Sequence, residues 1–430
     1  MLRNSMKKIL IISPHFPPSN LAAIHRSRLF AQHLPTFNWE PIIVAVHEKF
    51  YEEKLDFNLE KLLPEGLRIE KVSAFNVTKP RVIGDIGLRA FFQLYKKTKH
   101  IIKTEQPNFL YIPIPSFYVA LLGRLLHKST GVKYGIDYID PWVHEFPGSN
   151  KRFSRHWFST KIAKFLEPIA IKKASLITGV AEGYYQGVID RNPHLLKTCK
   201  FGAMPYGGEI TDHEKLAKLN IDPYLFSKNP DTIQLVYAGA MLPKAYSVLE
   251  EIFKAIQNNI DVFKKVKIHF IGTGKLANDN NSHTIKPLAE KYGLWQEVVF
   301  EYPKRIPYLD VLVHLNIADG VFILGSTEPH YTPSKSYQAV LSHKPILAVL
   351  HKQSTAVSVL QNSNAGIVLA FDGEAGIKNV NIEFKNKFNE WGNFRNNFKA
   401  ENVNMEEFKK FSAFEVTKKL ATLLNESCTK

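Results

Sequence analysis

The sequence predicts an α/β protein built as two doubly wound domains, and three observations carry that expectation. Short apolar runs rich in β-formers alternate with helical patterns along nearly the whole chain, the mark of helices layered on parallel sheets. The alternation lapses once, over the polar stretch 206–231 with its glycines and prolines, and then restarts. A chain of 430 residues, 45% hydrophobic and 22% charged, is long enough to bury two separate cores.

In the first half, strands are read at 8–13 (KILIIS), 41–46 (PIIVAV), 68–74, 108–114 (NFLYIPI), 133–139 and 175–180. Apolar residues at helical spacing fall between them over 21–34, 87–103 and 117–128. Beyond the connection, strands are read at 233–239, 267–274, 297–303, 320–324, 345–350 and 366–371. Helices such as YSVLEEIFKAIQNN and PYLDVLVHLNIA fill the gaps, and 406–424 reads as one amphipathic helix. The expected organisation is therefore a first domain over 1–205, a linker over 206–231, a second domain over 232–405 and a C-terminal segment over 406–430. Ligands of such sheets bind outside the carboxyl ends of the strands, and a cleft between two facing sheets is the expected site.

Composition excludes several classes. Cys199 and Cys428 lie far apart, with no CxxC and no Cys/His spacing, which argues against a disulfide scaffold or zinc finger and favours a reducing compartment. The opening KKILIIS is too short for a signal peptide and runs into Pro14, so it reads as a first buried strand. No segment reaches the roughly 18 apolar residues of a membrane span. Walker-type, GxSxG, HExxH and GxGxxG patterns are absent, and the first strand–helix loop, SPHFPPSN, is the wrong chemistry for a dinucleotide fold.

The formal net charge of +16 is concentrated locally. Residues 88–104 carry five Lys/Arg and no acid; residues 151–173 carry seven Lys/Arg and one acid, with Phe and Trp interleaved. Such helices suit an anionic membrane surface, or else present a solvated face over an apolar underside. No recognition-helix or RNA-binding signature accompanies them, so nucleic acid is not expected as a partner.

Candidate chemistry gathers where strands end. The loop 325–335 follows the run GVFIL and offers Ser326, Thr327, Glu328, His330, Tyr331, Thr332, Ser334 and Lys335. A helix is expected to start near Pro333–Ser334, where its free N–H groups and Lys335 suit a phosphate or diphosphate. Gly239 and Lys244 follow the second domain's first strand, and Gly272 and Gly274 follow its second; each is a tight turn or a ligand loop. In the first domain, His15, His25 and Arg26 flank the first loop, and Asp137, Asp140, Trp142, His144 and Glu145 leave a later strand. A carboxylate beside an imidazole can do acid–base work, and Asp140-Pro141 can equally be a turn or helix cap.

Together these stretches resemble the GT-B glycosyltransferases, specifically the family 4 type of bacterial surface-polysaccharide clusters, over nearly the whole chain. SPHFPPSNLAAIHRSRLFAQHL is similar to that family's opening PP…R…LA..L element, and DYIDPWVHEF to a D-F-R-D-P-W segment. KKASLITGVAEGY resembles its A-D…I-T-V-S strand, and VYAGAMLPK and FIGTG its glycine turns. PSKSYQAVLSHKPILAV resembles P-S-K-x-x-E-Y-x-A-x-G-K-P-V-I and is the most specific match.

The resemblance implies two Rossmann-like domains facing a central cleft, the first binding an acceptor and the second a UDP- or GDP-linked sugar. It implies transfer with retention, no cofactor and no bound metal. The acceptor would be a glycan or lipid-linked glycan, and the place of action the cytoplasm or the inner face of its membrane. It assigns Lys244, Glu328, Lys335, Asp140 and His144 to catalysis. Gly239, Gly272, Gly274, Ser334, Gln338 and His330 fall to the donor, Gln338 standing where a Glu holds the ribose. His15, Phe16, Arg26 and Trp142 fall to the acceptor, and the final helix is expected to pack back on the first domain.

The sequence departs from the pattern at four places. Ala240 replaces an Arg, Ile139 the Arg of D-F-R-D-P-W, Gln338 the Glu, and His343 a helix-ending glycine. The position eight before Gln338 is His330, with Glu328 two further back. A GT-B-fold scaffold without catalysis and a nucleotide-sugar epimerase are the alternative functions.

Overall fold

A computed structural model describes residues 6–78, 83–143 and 151–429. The chain divides into two compact units, Met1–Tyr206 with Ala413–Lys430, and Gly207–Ser412.

The first unit holds β1 (Lys7–Ile12), β2 (Trp39–Val46), β3 (Arg68–Val72), β4 (Phe109–Ile114), β5 (Tyr134–Tyr138), β6 (Leu176–Gly179) and β7 (Lys200–Ala203) in the order β3-β2-β1-β4-β5-β6-β7. All its pairings are parallel, with Ile9↔Phe109 across the switch between β1 and β4. Parallel strands covered on both faces have no need to alternate polar with apolar residues, hence Phe109–Ile114 is buried throughout. Strand β7 was not anticipated: KFGA is short, half-exposed and at the sheet edge, so it carries little apolar signal.

Helix Ala413–Cys428 belongs to this unit. Val416, Leu420 and Leu424, four apart on one face, join Phe30, Leu34 and Tyr111 in a buried cluster. Burying each such side chain contributes about 2 kcal/mol. The pattern read as one helix over 406–424 is two, Met405–Lys409 and Ala413–Cys428. Between them the Phe411 carbonyl accepts from the Gly208 N–H at 2.9 Å, so the two points where the chain leaves the second unit are paired.

The second unit holds β8 (Ile233–Ala238), β9 (Val266–Ile271), β10 (Val299–Tyr302), β11 (Gly320–Leu324), β12 (Ile346–His351) and β13 (Gly366–Phe371) in the order β10-β9-β8-β11-β12-β13. This sheet is also parallel, and its order reverses between β8 and β11. Helix Gly373–Asn396 covers it, burying Val380, Phe384, Phe388 and Trp391 at helical spacing. Gly320 opens β11 because a Cβ there would come within 2.4 Å of the Trp391 ring.

The polar stretch after 206 is more ordered than its composition indicated. It contains helix Ile210–Leu216, and Phe226 stacks on buried His269 with centroids 4.0 Å apart. His314 donates from Nδ1 to the Asp310 carbonyl, and its Nε2 accepts the Tyr224 and Leu225 N–H groups. Burial pushes the His314 and His269 imidazoles down, the latter to about 3, which keeps them neutral as these bonds require.

Candidate functional site

In the second unit the site is built at the carboxyl ends of β8, β9 and β11, around the switch point of the sheet. Three connections meet there. After β8 the chain turns through Gly239 at φ 110°, a backbone state that favours glycine, and a Cβ at Gly239 would lie 3.6 Å from Lys335 Nζ. After β9 it turns through Gly272 at φ 71°, whose Cβ position lies 4.0 Å from the Gly239 nitrogen. After β11 comes the loop 325–334, then helix Lys335–Leu341 with Ser334 as its N-cap residue.

Two anchors fix that loop. Thr327 Oγ1 donates to Glu374 Oε1 at 2.5 Å, tying it to the start of helix Gly373–Asn396. Thr332 shares a hydrogen bond with Thr355 at 2.8 Å. Glu328 sits between these anchors, its Oε1 3.8 Å from Lys244 Nζ. Lys244 is well exposed, and a pair at such exposure is worth only about 0–1 kcal/mol, so Lys244 can exchange it for a stronger anion. Half-buried His330 lies in the same loop.

Lys335 is the unusual group. Its side chain is partly accessible, yet the Nζ atom is shielded from water and has no hydrogen-bond partner among the described residues. Nζ lies 3.5 Å from the centroid of the buried Tyr237 ring, a cation–π contact. Burial pushes the ammonium down to about 7. A shielded cation answered only by a ring face is a standing cost to the fold, and it is relieved by an anion arriving from solvent.

Two further residues assigned to the donor are placed differently. Gln338 does not project alone: its Oε1 accepts from His213 Nε2 at 2.9 Å, so Nε2–H is the protonated nitrogen of that ring. Burial lowers His213, leaving it neutral and leaving the Gln338 NH2 as the end turned away from this bond. Gly274 is a packing residue, since a Cβ there would be 2.7 Å from the Pro303 carbonyl and 2.9 Å from that of Ser282. Ala240 is exposed, and its carbonyl accepts from Tyr237 OH at 3.2 Å. Sequence reasoning missed Tyr237 and His213; the only signal for Tyr237 was its position two residues before Gly239.

In the first unit, the residues assigned to the acceptor separate into buried and accessible ones. Arg26 is wholly buried, with Nε 2.5 Å and Nη2 2.9 Å from the two oxygens of Asp137, and it donates to the Met204 and Pro205 carbonyls. Burial pulls its pKa down, but the Asp137 carboxylate outweighs this and holds it raised. Thr178 donates to the same carboxylate at 2.8 Å. Arg26 thus has no exposed atom with which to meet an acceptor. Phe16 is likewise in the core, and Trp142 is buried, stacked on Phe117 at 6.0 Å.

His15 is the accessible member of that set, and Asp140, assigned to catalysis, is exposed as well. His15 Nδ1 is 3.0 Å from Glu53 Oε1, and the Ser19 hydroxyl donates a hydrogen bond to Glu53. Burial pushes the Glu53 carboxyl up, but these partners outweigh it and hold it near 2. Pro14, His15, Pro113, Ser116 and Ile139 line a small hollow at the carboxyl ends of β1, β4 and β5. Asp140 keeps an exposed edge while the protein crowding it lifts its carboxyl to about 6. His144 lies outside the described residues.

The two parallel, Rossmann-like sheets are of the GT-B fold class, the fold of the glycosyltransferases that the chain resembles. No protein-family model matches the sequence. No curated protein matches it. Solved structures do: HepE from Anabaena in complex with UDP-glucose superposes with a TM-score of 0.63 at 13% identity, covering 98% of this chain and 100% of that one. A glycosyltransferase from Rickettsia africae gives 0.62 at 16% identity and covers 99% of each chain. Sucrose-phosphate synthase from Thermosynechococcus elongatus gives 0.63 at 12% identity and covers 98% of each. At these identities the likeness is one of fold.

Proposed function

We propose that this chain is a retaining glycosyltransferase that moves a hexose from a UDP- or GDP-sugar to a glycan or lipid-linked acceptor in surface-polysaccharide synthesis. It would act in the cytoplasm at the inner face of the membrane, without a metal. The observation that carries the reading is the Lys335 ammonium, shielded and without a hydrogen-bond partner among the described residues, beside Gly239. A diphosphate seated there supplies the missing anion and returns the lysine to full charge.

The division of labour follows from this seat. Lys335 and Lys244 hold the departing nucleoside diphosphate, and the charge they stabilise is larger in the transition state than in the bound donor, which is what accelerates transfer. Binding of the diphosphate draws Lys244 from Glu328, releasing that carboxylate to orient the sugar hydroxyls. Gly239 and Gly272 let the backbone approach the donor, while Ser334, His330 and Gln338 border it. The first unit holds the acceptor through His15, with Asp140 as base: a carboxyl near 6 is mostly ionised at neutral pH yet basic enough to take a hydroxyl proton.

A second reading, a nucleotide-free scaffold, rests on Ala240 and on the bond to His213 that engages Gln338, the residue the resemblance assigns to the ribose. Thermal-shift measurement against UDP, GDP and their sugars separates the two. Stabilisation by a nucleotide sugar, lost in Lys335→Met, supports the transferase; no stabilisation by any of them supports the scaffold. Donor conversion without any acceptor would identify an epimerase instead.

A further inference from the structure

Helix Arg155–Ile171 packs one face on the first unit, through Ala163, Glu167, Ala170 and Ile171. The opposite face is apolar and uncovered: Phe158 is 49% exposed, Ile162 44%, Phe165 70% and Ile169 43%. At 3.6 residues per turn these four fall within an arc of about 60°, roughly opposite the buried residues. Phe153, 78% exposed, extends the stripe at its N-terminal end, where it contacts Trp157 and Phe158.

Cations border the stripe on both sides. On the same projection Lys161 and Lys172 fall on one flank and Arg155 and Lys173 on the other, all exposed. Glu167 is the sole acid of 151–173, and it is buried with its Oε2 2.6 Å from Arg191 Nη2. Helix Ala120–Thr130 packs alongside and continues the surface with Arg124, Lys128 and exposed Leu125; it contains no acid.

We propose that this helix docks the protein on an anionic bilayer, lying in the plane of the surface with its stripe among the lipid headgroups and its flanking cations on lipid phosphates. An apolar centre between two cationic edges matches the layering of a membrane interface. A nucleic acid would leave aliphatic Ile162 and Ile169 without a partner. Among the described residues no helix is long and apolar enough to cross a membrane, so attachment of this kind is peripheral. The inference deepens the reading of an enzyme that meets a lipid-linked acceptor and rests on it for its purpose, but its test needs no nucleotide.

The full chain is sedimented with vesicles of phosphatidylcholine alone and of phosphatidylcholine mixed with phosphatidylglycerol. Binding is expected on the anionic vesicles only, weakening as salt is raised. Phe158→Ser with Phe165→Ser should lower the partition coefficient about tenfold or more. The melting temperature and any nucleotide-induced shift should stay unchanged, since both residues are exposed. Lys161→Glu with Lys172→Glu should abolish the preference for anionic lipid. Equal binding to neutral vesicles, no binding to either, or a serine variant that binds like the parent overturns the proposal. So does a serine variant that turns a dimer into a monomer, which would make the face a protein interface.

Discussion

At the switch point of the first sheet, Arg26 is enclosed and answered by both oxygens of Asp137, by Thr178 through that carboxylate, and by two backbone carbonyls. At the equivalent point of the second sheet, Lys335 is shielded and answered by a tyrosine ring. The strand order around the two switch points is the same, though the first sheet has a seventh strand; the charge balance is not. A cation whose partners come from the protein is a structural tie, whereas one lacking an anion is a position held ready for a ligand. The difference teaches which crevice to search first for a charged substrate.

The comparison breaks most readily at the structural tie. Asp137→Ala leaves Arg26 buried without its counter-ion and should cost about 3–5 kcal/mol of stability, read by urea denaturation. An unchanged urea midpoint would mean that Arg26 is not the tie described. Lys335→Met should do the reverse, raising the melting temperature because a shielded cation is removed. The same change should weaken nucleotide-sugar binding about 100-fold by calorimetry, the effect of losing a charge-assisted contact worth ~3 kcal/mol. A destabilised variant that still binds donor would erase the contrast between the two crevices.

Proton linkage sharpens it. The folded free protein holds Lys335 near 7, below the ordinary lysine value, so the unfolded chain binds the extra proton between about pH 7 and 10. The penalty is therefore fully present below pH 7, and this residue's contribution to stability should improve as pH rises through that window. Binding has the opposite sign. A bound diphosphate raises the lysine again, so donor affinity should be flat below pH 7 and fall about tenfold per unit above it. Lys335→Met should abolish that slope in a calorimetric pH series; a persisting slope would place the titrating group elsewhere.

The smallest effect is expected at Gln338. Gln338→Glu places a carboxylate 2.9 Å from His213 Nε2, which should raise the imidazole pKa in an NMR titration. Donor affinity should tighten by no more than about fivefold, because one neutral hydrogen bond becomes charge-assisted. A change of two orders of magnitude would make Gln338, rather than Lys335, the dominant donor contact.

Much of the fold was legible along the chain. Twelve of the strands in the two sheets were read along the chain, most from apolar runs such as 108–114 and 320–324, because strands buried on both faces are continuously apolar; the half-exposed edge strand Arg68–Val72 is not. Strand β7 escaped because an edge strand of KFGA buries too little. The loop after β11 was also legible, since Gly325 and the polar residues behind it mark the end of a strand, and strand ends are where such sheets bind. Arg26 was the instructive difference. Its place in a strand-end loop looked ligand-facing, but a partner 111 residues away, Asp137, draws it inward. Sequence spacing carries no information about such a pairing.

The sequence by itself determined the alternation of strands and helices, the lapse after 206, the concentration of charge over 151–173 and the convergence of polar groups at strand ends. These are local consequences of period, turn chemistry and composition. The tertiary structure alone decided that Phe158, Ile162, Phe165 and Ile169 face outward, while the return of the last helix to the first unit was already expected from the resemblance. It also decided that Asp137 answers Arg26, while Lys335 finds only the Tyr237 ring. Each of these depends on which distant residues arrive at the same point, and burial converts that arrival into either a satisfied pair or a charge awaiting one.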